Sequence, residues 1–161
     1  MAKISKTNAA RLLDAARVKY TLVPYVVDEN NLAADHVAEQ LGEPIEQVFK
    51  TLVTVAPSRR NYVFVVPVNC TLNLKKAART AQEKSIAMIP QKELLPLTGY
   101  IHGGCSPIGM KKAFRTVIDA SAEMQETIIF SAGKIGYQVE LAPQDLISLT
   151  GGKTADITTE V

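Results

Sequence analysis

The chain has two cysteines, Cys70 and Cys105, and two histidines, His36 and His102, and none of the four sits in a cluster. A disulfide framework needs recurring cysteines, and a structural zinc site needs four ligands in paired groups, so both are disfavoured by supply alone. Long apolar runs are missing too. YVFVVPV at 62–68 falls well short of the roughly 20 residues that a spanning helix requires. The opening MAKISKTNAAR lacks the apolar core of a signal peptide, so a cytoplasmic location away from membranes is expected. The formal net charge is only +2, too small for indiscriminate attraction to nucleic acid, which sums over many neutralised phosphates. No internal repeat and no compositional break appears, and residues 1–161 are read as one domain.

What is present is an ordinary globular composition, 47% hydrophobic and 21% charged, with apolar residues in short helical or alternating patterns. NAARLLDAARV at 8–18 has helical spacing behind Thr7 or Asn8 as a cap, and TLVPYVV then reads as an extended segment with Pro24 marking an edge. A helix is expected from about Asp35 to Leu41, closed by Gly42. VFKTLVTVA and YVFVVPV, joined by PSRRN, read as a hairpin, and Asn73 as the cap of a helix through LKKAARTAQ. SIAMI is a short strand and QKELLPL a brief helix limited by Pro96. TVIDAS, ETIIFSA and YQVELA read as strands, and Pro143 opens a helix in PQDLISLTG. Strands outnumber helices without strict alternation, which points to an α+β domain on a mixed, strongly curved sheet.

Several stretches are candidates for chemistry. HGGCSP at 102–107 raises a thiol nucleophile, but His102 lies three residues from Cys105, a separation that turns the side chains apart, and a packed thiol is favoured. Gly103 and Gly104 remove both Cβ atoms, which lets a ligand approach the main chain and leaves amide donors for an anion or a carbonyl oxygen, with Ser106 adding a hydroxyl; a tight turn serving only the fold explains the same glycines. Lys50 places an ammonium inside an apolar strand, either snorkelling to water or fixed at a pocket. SAGKIG, with Gly133 and Gly136 flanking Lys134, lacks the ending and helix of a phosphate-binding loop and reads as a hairpin turn. Tyr25 reads as a core tyrosine, with stacking on a base or closing a pocket wall as the alternative. LKKAAR and MKKAFR each group three cations, which a merely solvated face also explains.

Taken together, VFKTLV, LNLKKAA, TGYIHGGCSPIGMKK, FSAGKIGYQVELAPQDL and the closing ADIT resemble, in order and spacing, the YbaK/EbsC family of aminoacyl-tRNA deacylases. The resemblance implies a single domain with a barrel-like mixed sheet surrounded by helices, without metal or organic cofactor. It implies an essential Lys50, and a substrate pocket that includes Tyr25, Thr51, Gly103 and Ser131, beside which Gly104, Ser106, Gly133 and Gln138 are further candidates. The bacterial branch of that family releases cysteine mischarged onto proline tRNA, the substrate's own thiol attacking the ester and leaving as a thiolactone. On that reading Lys50 is expected to hold the terminal phosphate or the reacting carbonyl while amides of the Gly103–Gly104 loop serve as oxyanion or phosphate donors, and Lys75, Lys76, Arg79, Lys111 and Lys112 are the candidates for meeting the acceptor stem. Prolyl-tRNA synthetase is the implied partner. Release of alanine or another small residue, and a noncatalytic module that binds tRNA or a synthetase, are the alternatives. The chain departs from relatives in three places: LAAD near Leu32 replaces an aromatic followed by glycine, Gln138 stands where some carry aspartate, and Cys105 fills a position where an aliphatic residue is common.

Overall fold

In the computed structural model, which describes residues 7–25 and 42–160, the first helix starts where Thr7 caps it. The Thr7 hydroxyl accepts from the Ala10 N–H at 3.1 Å, and α1 (Asn8–Ala15) buries Ala9, Ala10 and Leu13. Such a cap is worth about 1 kcal/mol. The chain then extends through β1 (Tyr20–Pro24). The helix expected at 35–41 and the LAAD segment lie outside the described residues.

The expected hairpin forms. Strands β2 (Phe49–Val55) and β3 (Asn61–Pro67) pair antiparallel from Phe49 opposite Pro67 to Val55 opposite Asn61. Next come β4 (Cys70–Leu72), then α2 (Leu74–Ala81), capped as expected by Asn73, whose side chain accepts from the Lys76 N–H at 3.0 Å. Strand β5 (Ala87–Met88) precedes α3 (Leu94–Thr98). Pro96 does not limit this helix. It occupies the first turn, where a missing N–H costs nothing, and the helix stops at Gly99 with φ +87°. Strands β6 (Arg115–Asp119), β7 (Ile128–Ser131) and β8 (Tyr137–Leu141) follow; α4 (Pro143–Thr150) has Pro143 in its first turn, and β9 (Lys153–Ala155) and β10 (Thr158–Glu160) close the chain.

The strands form a mixed five-stranded sheet in the order β5-β2-β3-β6-β9, an antiparallel sheet β1-β8-β7 and the pair β10-β4. The fold is α+β, as the sequence leads one to expect, but the sheet does not close as a barrel: β5 and β9 are open edges of the larger sheet among the described residues. Each face of that sheet is packed. Phe49, Val53, Val63 and Val65 meet Leu13 of α1 with Phe130 and Val139, while Phe64, Val66 and Val117 meet Ala77, Ala78 and Ala81 of α2 with Ile157. The closing ADIT therefore has a structural task. Ile157 is fully buried, and the buried Asp119 carboxylate accepts from the Ile157 N–H at 3.2 Å.

Candidate active site

One parallel bridge, between Val48 and Ile129, joins the two larger sheets. Two residues further along each strand come Lys50 of β2 and Ser131 of β7, which by strand alternation point to the same side as the bridged pair. Ser131 in turn opposes Gln138 of β8, and Val23 of β1 opposes Gln138 from the other side. Opposed residues share a face, and side chains alternate along a strand. Lys50, Ser131 and Gln138 therefore belong to one face of the joined strands. Thr51 belongs to the other, with Phe49 and Val53, and its hydroxyl oxygen is buried with no hydrogen-bond partner among the described residues. Lys50 is half-buried and makes no hydrogen bond or ion pair with any described residue. An ammonium in that position is available to a ligand.

The two glycine loops meet at the end of these strands. A Cβ on Gly104 would lie 3.1 Å from the backbone nitrogen of Ile135, so the 103–104 turn sits against the 131–136 turn. Gly103 has φ +88°, whereas the Gly104 N–H donates to Ile101 O at 3.0 Å and closes the turn. The donor expected of Gly104 is thus already used, and the Gly103 amide is the one left for a ligand. Ser106 also differs from expectation: it is fully buried and its hydroxyl accepts from the Ile108 N–H at 3.3 Å, so it braces the loop. On the other turn, the Gly133 N–H donates to the Ser131 hydroxyl at 3.1 Å, and the Tyr25 N–H donates to Gly136 O at 2.8 Å. Tyr25, half-buried at the end of β1, is thereby tied to the same place.

Tyr100 holds both loops, and the sequence reading passed over it although it stands inside TGYIHGG. Its ring would lie 2.8 Å from a Cβ on Gly133, its hydroxyl 2.8 Å from one on Gly109, and that hydroxyl donates to Ile108 O. Burial, helped by Cys105, pushes its pKa up to about 12, which keeps it a neutral donor. Cys105 is buried in the same cluster, and burial pushes its thiol up to about 12. A thiolate nucleophile is disfavoured there. Cys105→Ala is expected to keep most of its hydrolytic activity, and the buried thiol of the unaltered protein to resist alkylation; a loss of turnover in the variant, together with substrate-competed alkylation of Cys105 in the unaltered protein, would contradict this.

A carboxylate that the sequence reading did not single out borders the same face. Gln138 is buried, and with its amide nitrogen turned toward Glu43 it donates to both carboxylate oxygens at 3.1 Å. Burial and then the charge of Glu140 push the Glu43 carboxyl up from 4.5 to about 7, against the Gln138 hydrogen bond. Glu140 itself accepts from Gln47 at 3.1 Å and from Thr127 at 2.5 Å. An acid whose pKa rises on folding binds its proton more tightly in the folded chain, so stability falls as pH climbs from about 4.5 through about 7. Glu43→Gln should therefore show a smaller drop in Tm between pH 5 and pH 8 than the unaltered protein; equal drops would contradict the assignment.

The cations divide. Lys76 is held by Asp156 at 3.0 Å and also donates to Thr158 O at 3.1 Å, a structural pairing. Lys75, Arg79, Lys111 and Lys112 are exposed, and the stem of Lys111 runs against Gly99. Lys112 also borders an apolar groove of about 540 Å³ between α1, the 107–116 segment and α4, away from the Lys50 face. Among the described residues no group of three His, Cys, Asp or Glu side chains is placed to hold a metal ion.

The profile of the aminoacyl-tRNA editing domain matches residues 28–149. The chain belongs to the aminoacyl-tRNA editing domain family. Within that family it is 46% identical over 155 residues to the candidate Cys-tRNA(Pro)/Cys-tRNA(Cys) deacylase EbsC of Enterococcus faecalis, covering 96% of this chain and 94% of the relative. It is 29% identical over 103 residues to the proline–tRNA ligase of Shouchella clausii, a match covering 64% of this chain and 18% of the ligase. The crystal structure of a candidate trans-editing enzyme for prolyl tRNA synthetase superposes with a TM-score of 0.79 at 24% identity, covering 96% of this chain and 99% of that one. A second solved structure, of a hypothetical protein, gives a TM-score of 0.84 at 21% identity over 92% of this chain and 97% of that one. Both share the editing-domain fold.

Proposed function

We propose that residues 1–161 form one trans-acting editing domain that hydrolyses the ester of mischarged tRNA, with Cys-tRNA(Pro) as its substrate. The observation that carries this reading is Lys50: a half-buried ammonium that makes no hydrogen bond or ion pair with any described residue, on one face with Ser131 and Gln138, where the second glycine turn begins. The 46% identity to EbsC supports the choice of substrate.

The substrate ester is already activated, so the site has to hold it and stabilise the charge developing on its carbonyl oxygen. Lys50 supplies a fixed positive charge and Gly103 a main-chain donor. The Cys105 thiol is buried and protonated, which disfavours it as the nucleophile. The substrate thiol takes that part: its sulfur bonds to the carbonyl carbon, the ester C–O bond breaks, and the ribose oxygen leaves with the proton the thiol gave up. The resulting thiolactone is then opened by water to cysteine.

The tRNA is met through exposed cations, and prolyl-tRNA synthetase is the partner from which mischarged tRNA is received, in the cytoplasm. Among the described residues no helix is long and apolar enough to cross a membrane. Because Lys75 is exposed and Lys76 is paired, the two should part in experiment. Lys75→Ala should weaken tRNA binding and flatten the dependence of log affinity on log salt by about 1, whereas Lys76→Ala should leave that slope alone and cost less than about 1 kcal/mol of stability. An unchanged slope in Lys75→Ala would remove the LKKAAR run from the tRNA surface.

Deacylation of a panel of mischarged tRNAs tests the reading. Release of cysteine from tRNA(Pro) is expected. Release of alanine or another small residue in its place would move the substrate, and binding without release would make the chain a sequestering module.

A further inference from the structure

Among the described residues the Lys50 face carries charge at two places. Lys50 is one; Glu43, fixed over Gln138, is the other, and Ser131 lies between them in register. Gln138 is 5% exposed, so its amide is committed to orienting that carboxylate. The groups acting on Glu43 are its own burial, Glu140 and Gln138, and the last of these is neutral. Around Glu140 stand Gln47 and Thr127, also neutral. No lysine or arginine among the described residues pairs with either carboxylate. Residues 26–41, which lead into this segment, contain Asp28, Glu29, Asp35 and Glu39 but no lysine or arginine. A half-buried carboxylate beside a second one, with no lysine or arginine paired to either among the described residues, is an arrangement completed by a positively charged ligand.

An aminoacyl ester brings such a cation. Its α-ammonium stands next to the carbonyl carbon, a few atoms from the oxygen on which negative charge develops. Resting on the deacylase reading above, we propose that Glu43, oriented by Gln138, receives the α-ammonium group of the aminoacyl ester while Lys50 serves its negative end. Glu43 is then a specificity-determining residue: it distinguishes aminoacyl esters from acyl esters that lack the ammonium. Cysteine and alanine carry this group alike, so Glu43 reads the amino-acid class and leaves the side chain to other residues.

The test compares two esters of the same tRNA, cysteinyl and 3-mercaptopropionyl. The second keeps the thiol and lacks only the ammonium. The unaltered protein should prefer the cysteinyl ester in kcat/KM by about tenfold or more, the size of one hydrogen bond between charged groups. Glu43→Gln should lose that preference by slowing the cysteinyl ester alone, and Glu43→Asp should keep part of it. Because both esters meet the same folded fraction of each variant, a loss of stability leaves the ratio unmoved. Equal slowing of both esters, or an unchanged ratio in Glu43→Gln, would overturn the assignment while leaving the deacylase reading intact. Hydrolysis of neither ester by the unaltered protein would overturn both.

Discussion

Lys50→Ala should slow release of cysteine from Cys-tRNA(Pro) by at least about a hundredfold, the usual cost of removing one preorganised donor from a site of developing negative charge. The fold should survive. Lys50 makes no hydrogen bond or ion pair with a described residue, and what its removal takes from the folded chain is the packing of its stem beside Val66, its partner across the β2–β3 ladder. The variant should therefore unfold at nearly the same denaturant concentration, and single-turnover kinetics should assign the loss to the chemical step. Lys50→Arg separates charge from shape, because the guanidinium keeps the charge but spreads it over a planar fork. Turnover of Lys50→Ala near that of the unaltered protein would remove this residue from the mechanism.

The second large effect belongs to the frame of the site. Gly133→Ala should destabilise the domain by about 2 to 4 kcal/mol, because two costs coincide there. Its φ of +95° is unsuited to any residue with a side chain, and the added Cβ would lie 2.8 Å from the ring of Tyr100. Moving that ring strains the hydrogen bond from Tyr100 to Ile108 O and, through it, the turn that carries Gly103. Gly151→Ala provides the comparison: φ is +63° and nothing lies within 4 Å of the added atom, so only the backbone cost of about 1 to 2 kcal/mol applies. Equal losses in the two variants, read from denaturant midpoints at constant m, would show that the Tyr100 contact carries no weight.

Much of the framework is local chemistry and can be read directly. Thr7, Asn73 and Pro143 mark helix starts by what their own atoms do, and the β2–β3 and β7–β8 hairpins follow from β-branched runs around short polar turns. Short elements escape that kind of reading. Strands β4, β9 and β10 have three residues each, and their pairing depends on chain segments remote in sequence. Pro96 misled because a proline limits a helix only beyond its first turn.

The candidate site was legible at Lys50, Gly103 and Gly133 by residue type, and at Ser131 through the family resemblance alone. It was not legible at Tyr100 and Glu43. A tyrosine and a glutamate are unremarkable one at a time, and their importance comes from Gly133, Gly109 and Gln138 across the fold. The reverse holds for Thr51, Gly104, Ser106 and Lys76. Each stands within a suggestive motif, yet strand alternation, a closed turn, full burial and an ion pair with Asp156 give them packing or bracing environments.

In the proposed mechanism an ester held by fixed protein charges is attacked by a sulfur that the substrate brings. The most direct measurement is the single-turnover rate on two esters of the same tRNA(Pro), cysteinyl and seryl, which differ only in sulfur against oxygen. Rapid release of cysteine, with serine lost no faster than in buffer, is the predicted result. Equal enzymatic rates for the two would mean that water is the nucleophile and that the substrate thiol has no part in the reaction.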